Sequence, residues 1–423
     1  MIPLDIVGLK HIVLLSIWID YLWEQYLCAR QYQKSVVVVE QPIILKSAMT
    51  KKAYDKARTY MLKRKRFTFV KDFVHVITSS IIIVYEILPM SWAHVASFTH
   101  LDETLRNSIW YLAFTTCLSI LYLPLTIYEV FVIEYRRGDE FLAWHKLKTF
   151  IWSQIILMII SSALVMVIQR GDEVLIQLWI TLCVIIFLVG TLYPLLAPSK
   201  FRQLTRLPEG SLRTKIFNLA SDLHFPLKEI FIEERFKRPS CQIIYFYGDS
   251  ITKNIVLCDQ LIAKDEGDGC SDEEILALVA YEFSHWYYNQ AFKYVVALEV
   301  NLTFYFGAFY FLFKNPQIYQ TFGFVEERPI LVGVYVVLKY AMGFYSTILS
   351  FLFLQVSRYF IKQNDRFVTR MGKGEELVRA LVRLEKMNSA FPVYDWLYSA
   401  WHHDKPGLIE RIANIRNDDF KFE

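Results

Sequence analysis

Apolar residues along this chain gather into seven long runs, at roughly 5–27, 68–92, 107–133, 149–169, 174–197, 292–313 and 329–356. Most approach or exceed the roughly 20 residues that a helix needs to cross a bilayer. The pattern predicts a mostly α, integral-membrane protein with seven transmembrane helices. The first run is the weakest, because it contains Lys10, Asp20 and Glu24. Between the fifth and sixth runs the periodicity changes. Leu207-Pro208-Glu209-Gly210 reads as a turn, and 211–223 as an amphipathic helix with Leu212, Ile216, Leu219 and Ala220 on one face. Ile230–Ile232, Gln242–Tyr247 and Asn254–Cys258 read as three short strands, the last two joined by the turn 248–253. The acidic, Gly-rich stretch 265–273 is a loop, and Ser271 or Asp272 can cap the helix that follows. Beyond the seventh run come a helix at about 374–387 and the stretch 395–412. The expected division is 1–199, 200–291, 292–356 and 357–423, alternating membrane and soluble parts.

Charge orients the bundle. Eleven Lys and Arg lie between Arg30 and Arg66, whereas the stretches after the second and fourth runs offer only Arg106 and Arg170. The positive-inside rule puts 28–67, 134–148, 200–290 and the C-terminus in the cytosol, and seven crossings then put the N-terminus on the lumenal side. Composition agrees with a membrane protein: of 423 residues, 54% are hydrophobic and 16% aromatic, with mean hydropathy +0.29. The start shows no cleavable signal peptide. Six Cys without regular spacing argue for reduced thiols. Glu86 and Glu129 fall inside apolar runs, where a carboxylate wants a partner or a wet cavity. The basic stretch 46–66 beside a membrane helix serves topology and membrane lipid; no nucleic acid partner is expected.

The candidate chemistry sits in the run from Ile275 to Trp286. Tyr281-Glu282-Phe283-Ser284-His285 is one residue away from H-E-x-x-H, in which two His at i and i+4 share one metal and the Glu activates its water. Glu282 and His285 stand at zincin spacing, but a phenol does not replace an imidazole on zinc. His402-His403 point about 100° apart on a helix, which suits a surface role better than a shared ion.

Over nearly its whole length the chain resembles the type-I CAAX prenyl proteases, integral-membrane zinc metalloproteases of the endoplasmic reticulum. Tyr21-Leu22-Trp23-Glu24, Phe131-Val132-Ile133-Glu134, Leu207-Pro208-Glu209-Gly210, Phe225-Pro226-Leu227 and Tyr245-Phe246-Tyr247-Gly248 match family signatures in order. So do Phe322-Gly323-Phe324, Ser357-Arg358, Leu397-Tyr398-Ser399-Ala400 and Glu410-Arg411. The resemblance implies seven helices around a water-filled chamber, with a small α+β zincin-like cytosolic domain. It implies zinc as cofactor and prenylated CAAX peptides as ligands.

The departures fall at the chemistry. The family's ligand set of His, His and Glu corresponds here to Tyr281, His285 and Ile361, with Asn364-Asp365 closing the third-ligand stretch. Asp365 keeps the supporting carboxylate and Glu282 the remnant base. Lys405 stands where the family has a His. The substrate-aligning edge strand becomes Cys241-Gln242-Ile243-Ile244-Tyr245-Phe246, with Gln242, Ile243, Ile244 and Tyr245 at the peptide-pairing positions. With two of three ligands missing, the expectation is a pseudoprotease without bound zinc, acting as a peptide-binding or regulatory protein that holds prenylated peptide or pairs with an active paralogue. The alternatives are an active CAAX endopeptidase with a rebuilt site that recruits His402 or His403, and an unrelated seven-helix transporter.

Overall fold

The computed structural model describes residues 6–46, 49–97, 102–133, 140–196, 204–233, 244–248, 252–262, 269–385 and 391–419. They fall into two units. One comprises 1–33, 59–182 and 302–350; the other comprises 34–58, 183–301 and 351–423.

The first unit is helical. Six helices of the described chain are long and apolar enough to cross a membrane: Lys51–Val84, Glu103–Ile133, Lys148–Gln169, Asp172–Thr191, Gln290–Lys314 and Gly343–Arg370. Ile6–Val37 is longer than several of these but is not among them, since Lys10, Asp20 and Glu24 dilute its hydropathy. The basic stretch expected to be a loop is largely helical, because Ile6–Val37 and Lys51–Val84 both continue past their apolar parts. Hydropathy marks what a membrane would bury, not where backbone hydrogen bonding stops.

Two apolar runs are broken rather than continuous. The run 68–92 ends its helix at Val84, and a separate helix, Ile87–Ala96, follows a left-handed Glu86 with φ of 51°. Pro89 has no amide to give to the turn before it, which ends the first helix there. The run 329–356 divides into Ile330–Val336, a π-turn at Val337–Ala341, and the long helix Gly343–Arg370. The Met342 amide reaches back to the Val337 carbonyl at 2.8 Å and closes the wide turn.

The core of this unit gathers Trp92, Trp110, Phe114, Phe313, Tyr319, Phe322 and Tyr340. Buried Asn107 accepts from the Leu331 amide at 3.0 Å, satisfying one of the donors that open Ile330–Val336. The intramembrane carboxylates have partners: Lys10 meets Glu86 at 3.0 Å and Lys71 meets Glu129 at 2.8 Å.

The second unit carries a four-stranded sheet, β1 (Leu204–Arg206), β2 (Leu227–Glu233), β3 (Ile244–Gly248) and β4 (Lys253–Cys258), in the order β1-β2-β4-β3. β2 and β4 run parallel, and β1 and β3 pair antiparallel on the outside. Three strands coincide with sequence expectation. β1, three residues with two exposed, has too little alternation to be read from sequence. Against the sheet lie the helices Ser211–Asp222 and Asp272–Tyr287; Gly374–Glu385 packs on Asp272–Tyr287, Leu408–Asp419 packs on Gly374–Glu385, and Trp396–His402 completes the unit.

Candidate functional site

The helix Asp272–Tyr287 is fixed at its start. The Ser271 hydroxyl accepts from the Glu274 amide, and the Glu274 carboxylate accepts from the Ser271 amide at 2.9 Å, a reciprocal capping box. Glu274 is buried and also meets Arg383 at 2.9 Å. Ile275 to Ala280 are all buried, so the helix cannot rotate without exposing them. Phe225 rests on Phe283 and Trp286, with ring centroids 4.1 and 5.1 Å apart. This packing orients Tyr281, Glu282 and His285. The Ser284 hydroxyl folds back onto the Tyr281 carbonyl at 2.6 Å.

The long helix Gly343–Arg370 brings Ile361, Asn364 and Asp365 to the same site, all buried. Asn364 is the hinge of the arrangement. Its carboxamide pairs reciprocally with that of Gln290, at 2.8 and 3.2 Å. Its amide nitrogen also lies 3.2 and 3.3 Å from the two ring nitrogens of His285. Burial lowers the His285 pKa, with Lys405 and Arg411 adding to the effect, so the imidazole is neutral, with the amide nitrogen packed against its ring. Ile361 lies one turn before Asp365 and presents only an alkyl chain.

Asp365 receives two bonds from Arg411, at 2.6 and 3.1 Å, and the Arg411 guanidinium stands 5.1 Å over the Tyr281 ring. Tyr281 meets His285 edge to face at 5.4 Å. Burial pushes its hydroxyl up to about 12, so it stays a neutral phenol. Beside this pair Arg358 grips Glu410 at 2.7 and 2.8 Å. Two oppositely oriented Arg–carboxylate pairs thus tie Leu408–Asp419 to the long helix.

Glu282 is half-buried. Burial pushes its carboxyl up to about 8, against the opposing charge of Lys405. Lys405 is exposed but within Coulombic reach of both Glu282 and His285. A carboxyl titrating near 4.5 unfolded and near 8 folded keeps its proton in the folded chain after the unfolded chain has lost it. Stability therefore falls as pH rises from about 4.5 to about 8, by an order of a few kcal/mol, and is level above. Glu282→Gln is expected to remove that slope in urea unfolding at pH 5, 7 and 9.

Of the remaining expected residues, Ile244 and Tyr245 open β3, an outer strand of the sheet, with Ile244 buried. Gln242 and Ile243 lie outside the described residues. His402 is exposed, and His403 packs on Tyr394 at 4.3 Å and Tyr398 at 5.7 Å. Sequence reading gave no contact role to Asn364, Gln290 or Arg411. An Asn in a stretch where the resembled family has Ala was the available signal; for Gln290 there was none.

Residues 31–199 match the CAAX prenyl protease N-terminal family, described as five membrane helices, and residues 206–419 match Peptidase family M48. The chain belongs to peptidase family M48. This M48 chain is 30% identical to the CAAX prenyl protease 1 homolog of Mus musculus, over 96% of its own length and 94% of the relative's. With the CAAX prenyl protease 1 homolog of Taenia solium it shares 32% identity, covering 97% and 96%. Its fold resembles the crystal structure of S. mikatae Ste24p, with a TM-score of 0.70 at 26% identity over 98% of this chain and 99% of that one. The membrane-helix match and the six apolar helices make it a multi-pass membrane protein.

Membership in M48 implies zinc, and a catalytic zinc asks for three protein donors and one open position. The side chains at those places are a phenol, one imidazole already engaged by Asn364, and an alkyl group. Among the described residues no group of three His, Cys, Asp or Glu is placed to hold a metal. The donor set does not fit the ion.

Proposed function

We propose that this chain is a proteolytically silent M48 protein that binds prenylated CAAX peptides without cleaving them. One observation carries the reading: Tyr281 and Ile361 stand at the expected ligand places, and the Asn364 amide nitrogen lies against the His285 ring. Glu282 without an activated water has no nucleophile to generate. The relatives named CAAX prenyl proteases supply the ligand class, and β3 is the outermost strand among the described residues, the kind of strand that extended peptides add to. The site residues in this reading are Tyr281, Glu282, His285, Ile361, Asp365 and Lys405, with Gln242 to Tyr245 along the peptide. The membrane is that of the endoplasmic reticulum, crossed seven times with Ile6–Val37 as the first span, the N-terminus lumenal and the M48 part cytosolic. Membrane lipid surrounds the spans, and an active paralogue is the natural regulatory partner.

The full chain, purified in neutral detergent, is expected to carry substoichiometric zinc by plasma mass spectrometry. It should bind a farnesylated CAAX peptide saturably and release no tripeptide from it. Stoichiometric zinc, or cleavage above that of a Glu282→Gln control, would overturn the silent reading. Failure to bind the peptide would overturn the ligand assignment.

A further inference from the structure

The apolar run 329–356 holds one cation at mid-length, Lys339, on the π-turn Val337–Ala341. Such wide turns recur at functional positions in helices. The Lys339 ammonium donates to the Tyr335 hydroxyl at 2.9 Å and stands 5.2 and 5.3 Å from the ring centres of Tyr335 and Tyr340. The cage is rigid. Tyr340 stacks on Phe322 at 5.4 Å and meets Tyr335 edge-on at 5.8 Å, and Tyr335 meets Phe114 edge-on at 5.3 Å.

Acceptors are missing from this cage. Among the described residues no Asp or Glu pairs with Lys339, although Lys10 and Lys71 of the same unit each have a carboxylate. The ionisable neighbour within electrostatic reach is His75, which stacks on Tyr122 at 4.2 Å and offers no negative charge. Tyr340 is 4% exposed and has the hydroxyls of Tyr335 and Ser79 as its polar neighbours. An ammonium has three donors and no acceptor, and Tyr335 takes only one of them, so two ammonium hydrogens are left to give. Aromatic faces and one phenol offset only part of the cost of taking such a charge out of water. The Lys339 side chain is itself exposed, so a ligand can reach it. Phe114 and Phe322, packed on Tyr335 and Tyr340, make the surroundings apolar.

We propose that Lys339, Tyr335 and Tyr340 form a binding site for the oxyanion of an amphiphile, a carboxylate or phosphate joined to a hydrocarbon tail. The oxyanion supplies the acceptors that the cage lacks, and the apolar surroundings take the tail. The site stands independently of the peptide reading, since it uses none of Tyr281, Glu282 or His285.

The test uses the full chain in neutral detergent, with lysophosphatidic acid and palmitate as the two sources of oxyanion. Monopalmitoylglycerol, whose head group carries no charge, and inorganic phosphate serve as comparisons, and binding is followed by native mass spectrometry and calorimetry. The expected result is preference for one or both anionic amphiphiles over both comparisons. Lys339→Met should weaken that binding by about tenfold or more, Tyr340→Phe should weaken it less, and Lys339→Arg should retain it. Retention in Lys339→Arg, with unchanged thermal melting, separates loss of the charge from loss of the fold. Equal binding by the parent and Lys339→Met would overturn the site, as would monopalmitoylglycerol binding as tightly as both anions. Inorganic phosphate binding as tightly as lysophosphatidic acid would overturn the amphiphile.

Discussion

A chain carrying Tyr281→His, Ile361→Glu and Asn364→Ala is expected to purify with about one zinc per molecule, the complement of a three-ligand site. His285 and Glu282 already stand at zincin spacing on a helix locked at its start, so two donors remain to be supplied. Asn364→Ala is included because that amide lies against the imidazole and crowds the ring that zinc needs. The variant with only the first two substitutions is therefore expected to bind zinc more weakly. Without metal the introduced carboxylate lies buried and unpaired, so the metal-free triple variant should unfold more easily than the parent. Zinc at a hundred times its dissociation constant should stabilise it by about 2.7 kcal/mol. Mass spectrometry of metal content and melting with and without zinc test both steps. A triple variant that stays zinc-free would mean that the surrounding side chains no longer converge on a common point.

Arg411→Ala is expected to cost on the order of 3–5 kcal/mol of stability, among the largest losses of any single side chain in the second unit. Asp365 is 3% exposed and Arg411 14%, so removal of the guanidinium leaves a carboxylate buried without its partner. Tyr281 also loses the cation over its ring. Arg416→Ala is the control. Its pair with Glu375 is 48% exposed on both sides, and a surface pair of that kind contributes about 1 kcal/mol or less. Urea unfolding of both variants in one detergent makes the comparison. Equal losses would show that the Arg411 pair is solvated, contrary to its burial here.

The broad architecture was legible in the sequence because its signals are long. Runs of about twenty apolar residues, and the cap at Ser271 before Ile275, each rest on many residues or on a stereotyped local bond. The breaks were harder. Pro89 was a usable signal for the stop at Val84, but nothing in Val337 to Ala341 announces a π-turn, since its residues suit an α-helix equally. At the site, Tyr281, Glu282, His285 and Asp365 came from spacing and resemblance. The contacts of Asn364, Gln290 and Arg411 did not, because these residues lie far apart in sequence and only the packed helices bring them to the site.

The anchoring of the helix Asp272–Tyr287 by Ser271, Glu274 and Arg383 has a historical consequence. Ser271 and Glu274 lie about 15 and 10 Å along the helix axis from Tyr281, at 1.5 Å per residue. A base change at codon 281 therefore alters reactivity while leaving the clasp that positions the helix untouched. Lineages can lose an activity at such a place without losing the fold, and each later change at 361 or 364 then meets no opposition from selection for turnover. The same separation runs in reverse: a scaffold whose shape never depended on its ion remains available for a new one.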